Sequence, residues 1–273
     1  MPHSITLPRL SSCAVNQFSE PFAHGYIDNY LPQEEFRALR EGFVDPVGHP
    51  MGSVLGHGKR RIVFRAPPLP EFMQGAGIAP AILGLIEGVA SRSFIDDCWD
   101  WSVGHDAPYP NAPPAYAALL ADRRGLGPAD AEMQCEFSSL SDGVFLPPHA
   151  DSTDKVLSCI LYLGPDEWPG DWGGATEIYV AKDDRHKNNW NNAFLKREQM
   201  SVARAIEFKA NRLVFFVKGS NAWHGVAPVR APQGVERRSF NFSLILKKAA
   251  HENFKAKASS RAVEKLEQAA FRR

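Results

Sequence analysis

The feature that most constrains this chain is a change of rhythm near Ala131. From there to Leu246 the sequence breaks into short runs rich in β-branched and aromatic residues, separated by Gly, Pro and Asp clusters. Short runs with frequent turns are the pattern of a β-sandwich or barrel. Five runs are plain, MQCEFSS, VLSCILYL, ATEIYVA, NRLVFFV and RSFNFSLIL, and a shorter one surrounds His224 to Val229. Lys182 to Ser201 is a long polar insertion between runs, expected to form a loop or lid beside the mouth of the β structure.

Residues 1–130 read differently, as mostly helical support and substrate wall. Pro32 stands near the first turn of a helix reaching about Phe43, IAPAILGLIEGVASRSF reads as a second, strongly apolar helix, and Ala115 to Arg123 as a third. Gly52 to Arg65 is expected to be a loop and a short basic strand, followed by a proline-rich turn at Pro67, Pro68 and Pro70. The β core then spans 131–247 and a basic C-terminal helix 248–273. With 273 residues, 44% of them hydrophobic, the chain can bury one sizeable core, so 1–273 is read as a single domain.

The formal net charge is zero, so no global field recruits nucleic acid. From Lys247 to Arg273 eight Lys or Arg stand against three Glu. That segment reads as a solvated helix packing one face on the β core, with contact to an anionic membrane surface as the second reading. The four cysteines show no short metal spacing and no disulfide framework. MPHSITLPRLSSCAVNQF lacks the pattern of a signal peptide, and no run of about 18 apolar residues exists to span a bilayer. The expectation is a soluble cytoplasmic protein.

Chemistry enters at His149, Ala150 and Asp151, where a strand should begin after the turn-forming SDGVFLPP. Residues i and i+2 of a strand project to the same side, so an imidazole and a carboxylate can converge on one metal. His224, in NAWHGVAPV after an apolar run, is the best candidate for a third ligand. Two His and one carboxylate on one face of an octahedron leave three positions open. Arg237 opens the strand RRSFNFSLIL and Ser239, two residues on, faces the same way. A guanidinium and a hydroxyl on one inward face suit a buried carboxylate.

At these residues the chain from Glu136 to Leu246 resembles the prolyl 4-hydroxylase-like branch of the Fe(II)/2-oxoglutarate dioxygenase superfamily. The resemblance lies in GVFLPPHAD, ILYLGPDEWPGDWGGATEIY, LVFFVKGSNAWHGV and ERRSFNFSLIL, in that order over about 110 residues. It implies a double-stranded β-helix (jelly roll, cupin-like) core preceded by N-terminal helices. It also implies hydroxylation coupled to conversion of 2-oxoglutarate to succinate and CO2, with Fe(II) and 2-oxoglutarate as cofactors and ascorbate as accessory reductant. By the same resemblance His149, Asp151 and His224 bind iron. Arg237, favoured over Arg238 by the Glu-Arg-x-Ser order, anchors 2-oxoglutarate with help from Ser239 and Tyr162. Asp151 argues against halogenation, because halogenating relatives carry a small residue there.

The substrate pocket is expected from variable parts: Arg61 and Arg65 in the basic strand, Glu136, the Trp99 to Trp101 turn and the polar insertion. If the arginines face the site the substrate is anionic, a sugar acid or glycolipid, an amino acid or a peptidyl residue. Gly173 and Gly174 read as a turn or bulge, because no helix follows them. The remaining histidines, His3, His24, His49, His57, His105, His186 and His251, have no partner at ligand spacing. A non-catalytic cupin-like binding module and a 2-oxoglutarate-independent oxygenase stay open as alternatives.

Overall fold

In the computed structural model the described residues are 5, 7–66, 68, 78–106, 113–260 and 262–271. Their strands form two antiparallel sheets. The larger is ordered β1 (Asn16–Phe18), β2 (His24–Ile27), β10 (Leu213–Val217), β7 (Lys155–Tyr162), β12 (Arg237–Leu246), β5 (Ala131–Leu140), β4 (Arg60–Ala66) and β3 (Ser53–Val54). The smaller is ordered β6 (Leu146–His149), β11 (His224–Val226), β8 (Thr176–Ala181) and β9 (Met200–Ile206). This is the double-stranded β-helix the sequence predicts, with helices in support.

Strand β12 lies between β5 and β7, and its alternation divides the molecule into layers. Phe240, Phe242 and Leu244 join a large apolar core with Met133, Cys135 and Phe137 of β5 and Leu157 and Leu161 of β7. The helices α1 (Gln33–Glu41), α2 (Pro80–Val89), α3 (Arg92–His105) and α4 (Pro114–Arg124) bury their apolar faces in that same core. Phe94 packs against Phe242 with ring centres 5.8 Å apart, and Trp101 meets Phe215 edge-on at 4.8 Å. The opposite face of β12, carrying Arg237, Ser239, Asn241 and Ser243, looks toward the small sheet.

Several elements differ from the sequence expectation. The apolar stretch read as one helix is two, because the Ser91 hydroxyl accepts from the Phe94 N–H at 3.3 Å and starts a new helix. Trp99 to Trp101 is therefore helix rather than turn, and both tryptophans are buried under the large sheet, away from the inner face. The N-terminal region supplies the expected basic strand as β4 and three further strands, β1, β2 and β3, which together extend the large sheet at both edges. Strand β6, LPPH, is hidden by its prolines, which are tolerated because it is an edge strand of the small sheet. Of the expected proline turn, Pro68 lies in a bend, whereas Pro67 and Pro70 fall outside the described residues.

The tail expected as one helix is likewise two, α5 (Lys248–Ser260) and α6 (Val263–Phe271), parted at Ala262 with φ of 60°. Its inward face clamps the polar insertion. Trp190 is buried against Phe254 with ring centres 5.7 Å apart. The Glu267 carboxylate accepts from the backbone N–H of Trp190 and, at 3.0 Å, of Asn191, and from the Tyr116 hydroxyl at 3.1 Å. Among the described residues no helix is long and apolar enough to cross a membrane.

Glu267→Ala should strand these donors. A buried donor left unpaired costs about 1–3 kcal/mol, so thermal unfolding should fall by at least about 4 °C, with Glu267→Gln intermediate. An unchanged melting temperature would show that the clamp contributes nothing.

Candidate active site

The inner face of the large sheet is a ladder of aligned side chains set by strand register. Arg237 pairs with Leu140; then Ser239 lies between Ser138 and Tyr162, Asn241 between Glu136 and Ile160, and Ser243 between Gln134 and Ser158. Together with the small sheet this face encloses a cavity of about 110 Å³, lined by Arg237 and Thr176 at one end, by His224 and Asp151, and by Glu136 and Gln134.

His149 ends β6 and His224 begins β11, and the two are register partners, which sets their ring centres 4.3 Å apart. Each imidazole is fixed by its own backbone. Nδ1 of His149 lies 2.9 Å from the Pro147 carbonyl, and Nδ1 of His224 2.9 Å from that of Ala222. A carbonyl only accepts, so both Nδ1 atoms carry the proton and both Nε2 lone pairs are left for a metal. Asp151 lies two residues beyond His149, with carboxylate oxygens 4.0 Å from His149 Nε2 and 3.7 Å from His224 Nε2. One ligand atom from each of the three lies within 4.8 Å of the others.

Around this triad the support is dense. Lys155 Nζ donates to Asp151 Oδ1 at 2.9 Å and Ser158 Oγ to Oδ2 at 2.6 Å. Burial pushes the Asp151 carboxyl up, but the charge of Lys155 and the hydrogen bond from Ser158 oppose this, and the carboxyl stays well below the usual carboxylate range. Phe194, from the polar insertion, stacks on His149 at 5.2 Å, and Phe216 packs on His224 at 4.2 Å. The arrangement offers two neutral imidazoles and one carboxylate from one side, with the cavity on the other.

At the far end Arg237 is 2% exposed. Its Nε donates to the Gly174 carbonyl at 2.6 Å, and its guanidinium lies over the Tyr162 ring at 4.9 Å. The Tyr162 hydroxyl and Thr176 Oγ1 are 2.6 Å apart. Burial opposes the charge of Arg237, and among the described residues no carboxylate pairs with it. Gly174, at φ of 73°, passes so close that a Cβ there would lie 3.1 Å from Arg237 Cδ.

Residues 135–244 match the family model of the 2OG-Fe(II) oxygenase superfamily. The match spans 110 of the 273 residues, the β core that carries the triad, Tyr162 and Arg237. A solved prolyl hydroxylase from Trichoplax adhaerens, in complex with a hypoxia inducible factor oxygen degradation domain peptide fragment, is similar in fold. It has 15% identity and a TM-score of 0.51, with 85% of this chain and 86% of that chain covered. Two further solved structures are more distant. A Pseudomonas putida prolyl-4-hydroxylase has 17% identity and a TM-score of 0.41, covering 82% of this chain and 92% of that one. HygX from Streptomyces hygroscopicus, with nickel and 2-oxoglutarate bound, has 13% identity and a TM-score of 0.40, covering 82% and 83%. A search of curated proteins finds no match.

The protein is thus a 2-oxoglutarate-dependent oxygenase with Fe(II) and 2-oxoglutarate as cofactors. Asp151, His224 and Arg237 line one cavity, with His149 packed against His224 and Tyr162 under the Arg237 guanidinium, while Ser239 faces inward but contacts Ser138 Oγ at 3.3 Å. Arg238 points away, pairing with Asp45 and Glu236. Glu136 and Arg61 line the cavity, already joined to each other and to Lys59. Arg65 shares their face of β4 but stands at its outer end, half-exposed and paired with Glu132, so it is no part of the cavity wall. The sequence reading missed Lys155, Ser158, Thr176 and Asn241. Strand parity carried a signal for Asn241, which alternates with Arg237 and Ser239, and for Ser158, which alternates with Tyr162. Lys155 and Thr176 gave none.

Burial, and next the neighbouring His224, lower the His149 pKa to about 3, and burial lowers that of His224 as well. A native state that keeps these imidazoles neutral binds fewer protons than the unfolded chain below about pH 6.5. Stability of the metal-free oxygenase is therefore full above that pH and is lost as pH falls toward 3. His149 alone contributes a loss of roughly 1.5 kcal/mol between pH 6.5 and 5. Urea unfolding across this range should show the loss, and His149→Gln should flatten it; identical slopes would contradict this origin.

Proposed function

We propose that this oxygenase hydroxylates an unactivated C–H bond of a small, polar, anionic substrate, with iron held by His149, Asp151 and His224 and 2-oxoglutarate anchored by Arg237. The observation that carries the reading is Arg237, a fully buried cation with no carboxylate partner among the described residues, in the cavity that Asp151 and His224 also line. A buried charge without a counter-ion is costly, and the carboxylate of a bound 2-oxoglutarate would remove that cost by pairing with Arg237. When bound, iron and 2-oxoglutarate supply oxidative decarboxylation, with dioxygen as oxidant and succinate, CO2 and an alcohol as products.

The chain's own contribution is placement. The Nδ1 contacts to Pro147 and Ala222 aim both histidines, and Lys155 and Ser158 hold Asp151 as an oriented carboxylate. Gly174 and Thr176 orient the Arg237 fork. Polarity supports an anionic substrate: Lys59, Arg61, Lys155 and Arg237 line the cavity against Glu136 and Asp151, four cations against two carboxylates. Fe(II) and the 2-oxoglutarate dianion cancel, so the positive excess remains for the substrate. We read residues 1–273 as one domain, since the helices share the core beneath the site-bearing sheet. The four cysteines are free, three of them buried, which supports a reducing, cytoplasmic setting.

Anaerobic titration of the metal-free protein with Fe(II) and 2-oxoglutarate should produce the weak visible charge-transfer band of the chelate. His224→Ala should abolish it. Arg237→Ala should still bind metal but need at least about tenfold more 2-oxoglutarate, as expected for loss of a buried charged hydrogen bond. Unchanged 2-oxoglutarate demand in Arg237→Ala would refute the assignment of Arg237.

A further inference from the structure

Arg237 and the triad account for one end of the cavity and its middle; the other end has its own chemistry. Beyond the row of Ser138 and Ser239, the lining side chains from β5 and β12 are Gln134, Glu136, Asn241 and Ser243, all polar. Of the apolar lining, Leu140, Leu146 and Val226 lie at the other end, near Arg237 and His224, and Ile160 stands beside Asn241. Glu136 is the hub of the polar end. Lys59 Nζ and, at 2.7 Å, Asn241 Nδ2 donate to its Oε1, and Arg61 Nη1 donates to Oε2 at 3.3 Å.

The hub is incompletely satisfied. Because Asn241 uses its amide N–H on Glu136, its Oδ1 is fixed as an acceptor, and that atom is buried without a donor. Arg61 Nε is buried without an acceptor. One acceptor and one donor thus lack partners on two sides of the same carboxylate. The Arg61 side chain keeps 34% exposure, so its guanidinium has room to turn toward a ligand. Two cations against one carboxylate leave the cluster positive.

We propose that this cluster is the specificity site for the substrate, and that it takes a small carboxylate with a hydrogen-bond donor beside it, an α-amino or α-hydroxy acid. Arg61 and Lys59 receive the carboxylate; Glu136 and Asn241 Oδ1 receive the ammonium or hydroxyl. The inference rests on the oxygenase reading above. A fatty or aromatic acid lacking the donor leaves Asn241 Oδ1 unpaired and brings apolar surface against a polar wall, so it is refused. Glu136 lines the same cavity as Asp151 and His224, so an anchor there fixes which carbon faces the triad.

The test uses the whole protein loaded with Zn(II) and 2-oxoglutarate, so that saturation-transfer NMR is free of paramagnetic broadening. The probes are the L-amino acids, their N-acetyl derivatives, D-gluconate and D-glucuronate, and hexanoate and phenylacetate as donor-free acids. At least one amino or hydroxy acid should bind while hexanoate and phenylacetate do not, and preference between the amino and sugar acids identifies the donor. Glu136→Gln and Asn241→Leu should weaken that ligand at least about tenfold, with 2-oxoglutarate affinity unchanged. Gln134→Leu, whose residue makes no ion pair, serves as a second probe of the same wall should the Glu136 variant fold poorly, and should weaken the ligand as well. Binding of the donor-free acids, binding of none of the probes, or undiminished binding in folded variants would overturn the proposal. If the Fe(II)–2-oxoglutarate band forms in the same preparation, such a result defeats the specificity site alone; absence of the band defeats the oxygenase reading beneath it.

Discussion

Ten consecutive register pairs join β12 to β5, from Arg237 with Leu140 to Leu246 with Ala131, and on its other edge β12 pairs with β7. This central pairing gives one strand two incompatible tasks. Its outer side chains are Phe240, Phe242 and Leu244, which need the helices above them. Its inner ones are Arg237, Ser239, Asn241 and Ser243, which need polar partners in the space between the two sheets. A slip of one residue would exchange the two sets, so the apolar outer core holds the chemical face in register.

The inner face is expensive on its own terms. Arg237 has no counter-ion among the described residues, Glu136 sits with two cations in a partly satisfied network, and three metal-ligand side chains crowd within 4.8 Å. A site of this kind is stabilised by what it binds, since a ligand that meets only the native state shifts the folding equilibrium in its favour. The outer layer supplies the reserve. Phe94 on Phe242, Trp101 on Phe215 and the buried faces of α2 and α3 keep the sheet rigid when the cavity is empty of ligand. On the small-sheet side, the Glu267 clamp fixes the segment that places Phe194 against His149.

The β half was legible because strand alternation is local: each of the five plain runs is a strand, and Asp151, His224 and Arg237 line one cavity with His149 and Tyr162 packed beside them. What escaped was set by context. Two prolines disguised β6, whose pairing depends on an edge position that only the assembled sheet defines. Ser91 divided an apolar stretch through one hydroxyl contact, and Ala262 divided the tail through one left-handed residue. Lys155 reaches Asp151 only because the chain turns between them, and Arg65 was misjudged because strand parity gives its face but not its depth.

The cavity is built for a metal at the triad and a dicarboxylate reaching Arg237. A crystal structure of the oxygenase loaded anaerobically with Fe(II) and 2-oxoglutarate tests this most directly. Iron should be bonded to Nε2 of His149, Nε2 of His224 and one oxygen of Asp151, with the distal carboxylate of 2-oxoglutarate paired to Arg237 and the Glu136 end of the cavity left open. Iron bound elsewhere, or 2-oxoglutarate with its distal carboxylate on Arg61 and Lys59 instead, would contradict it.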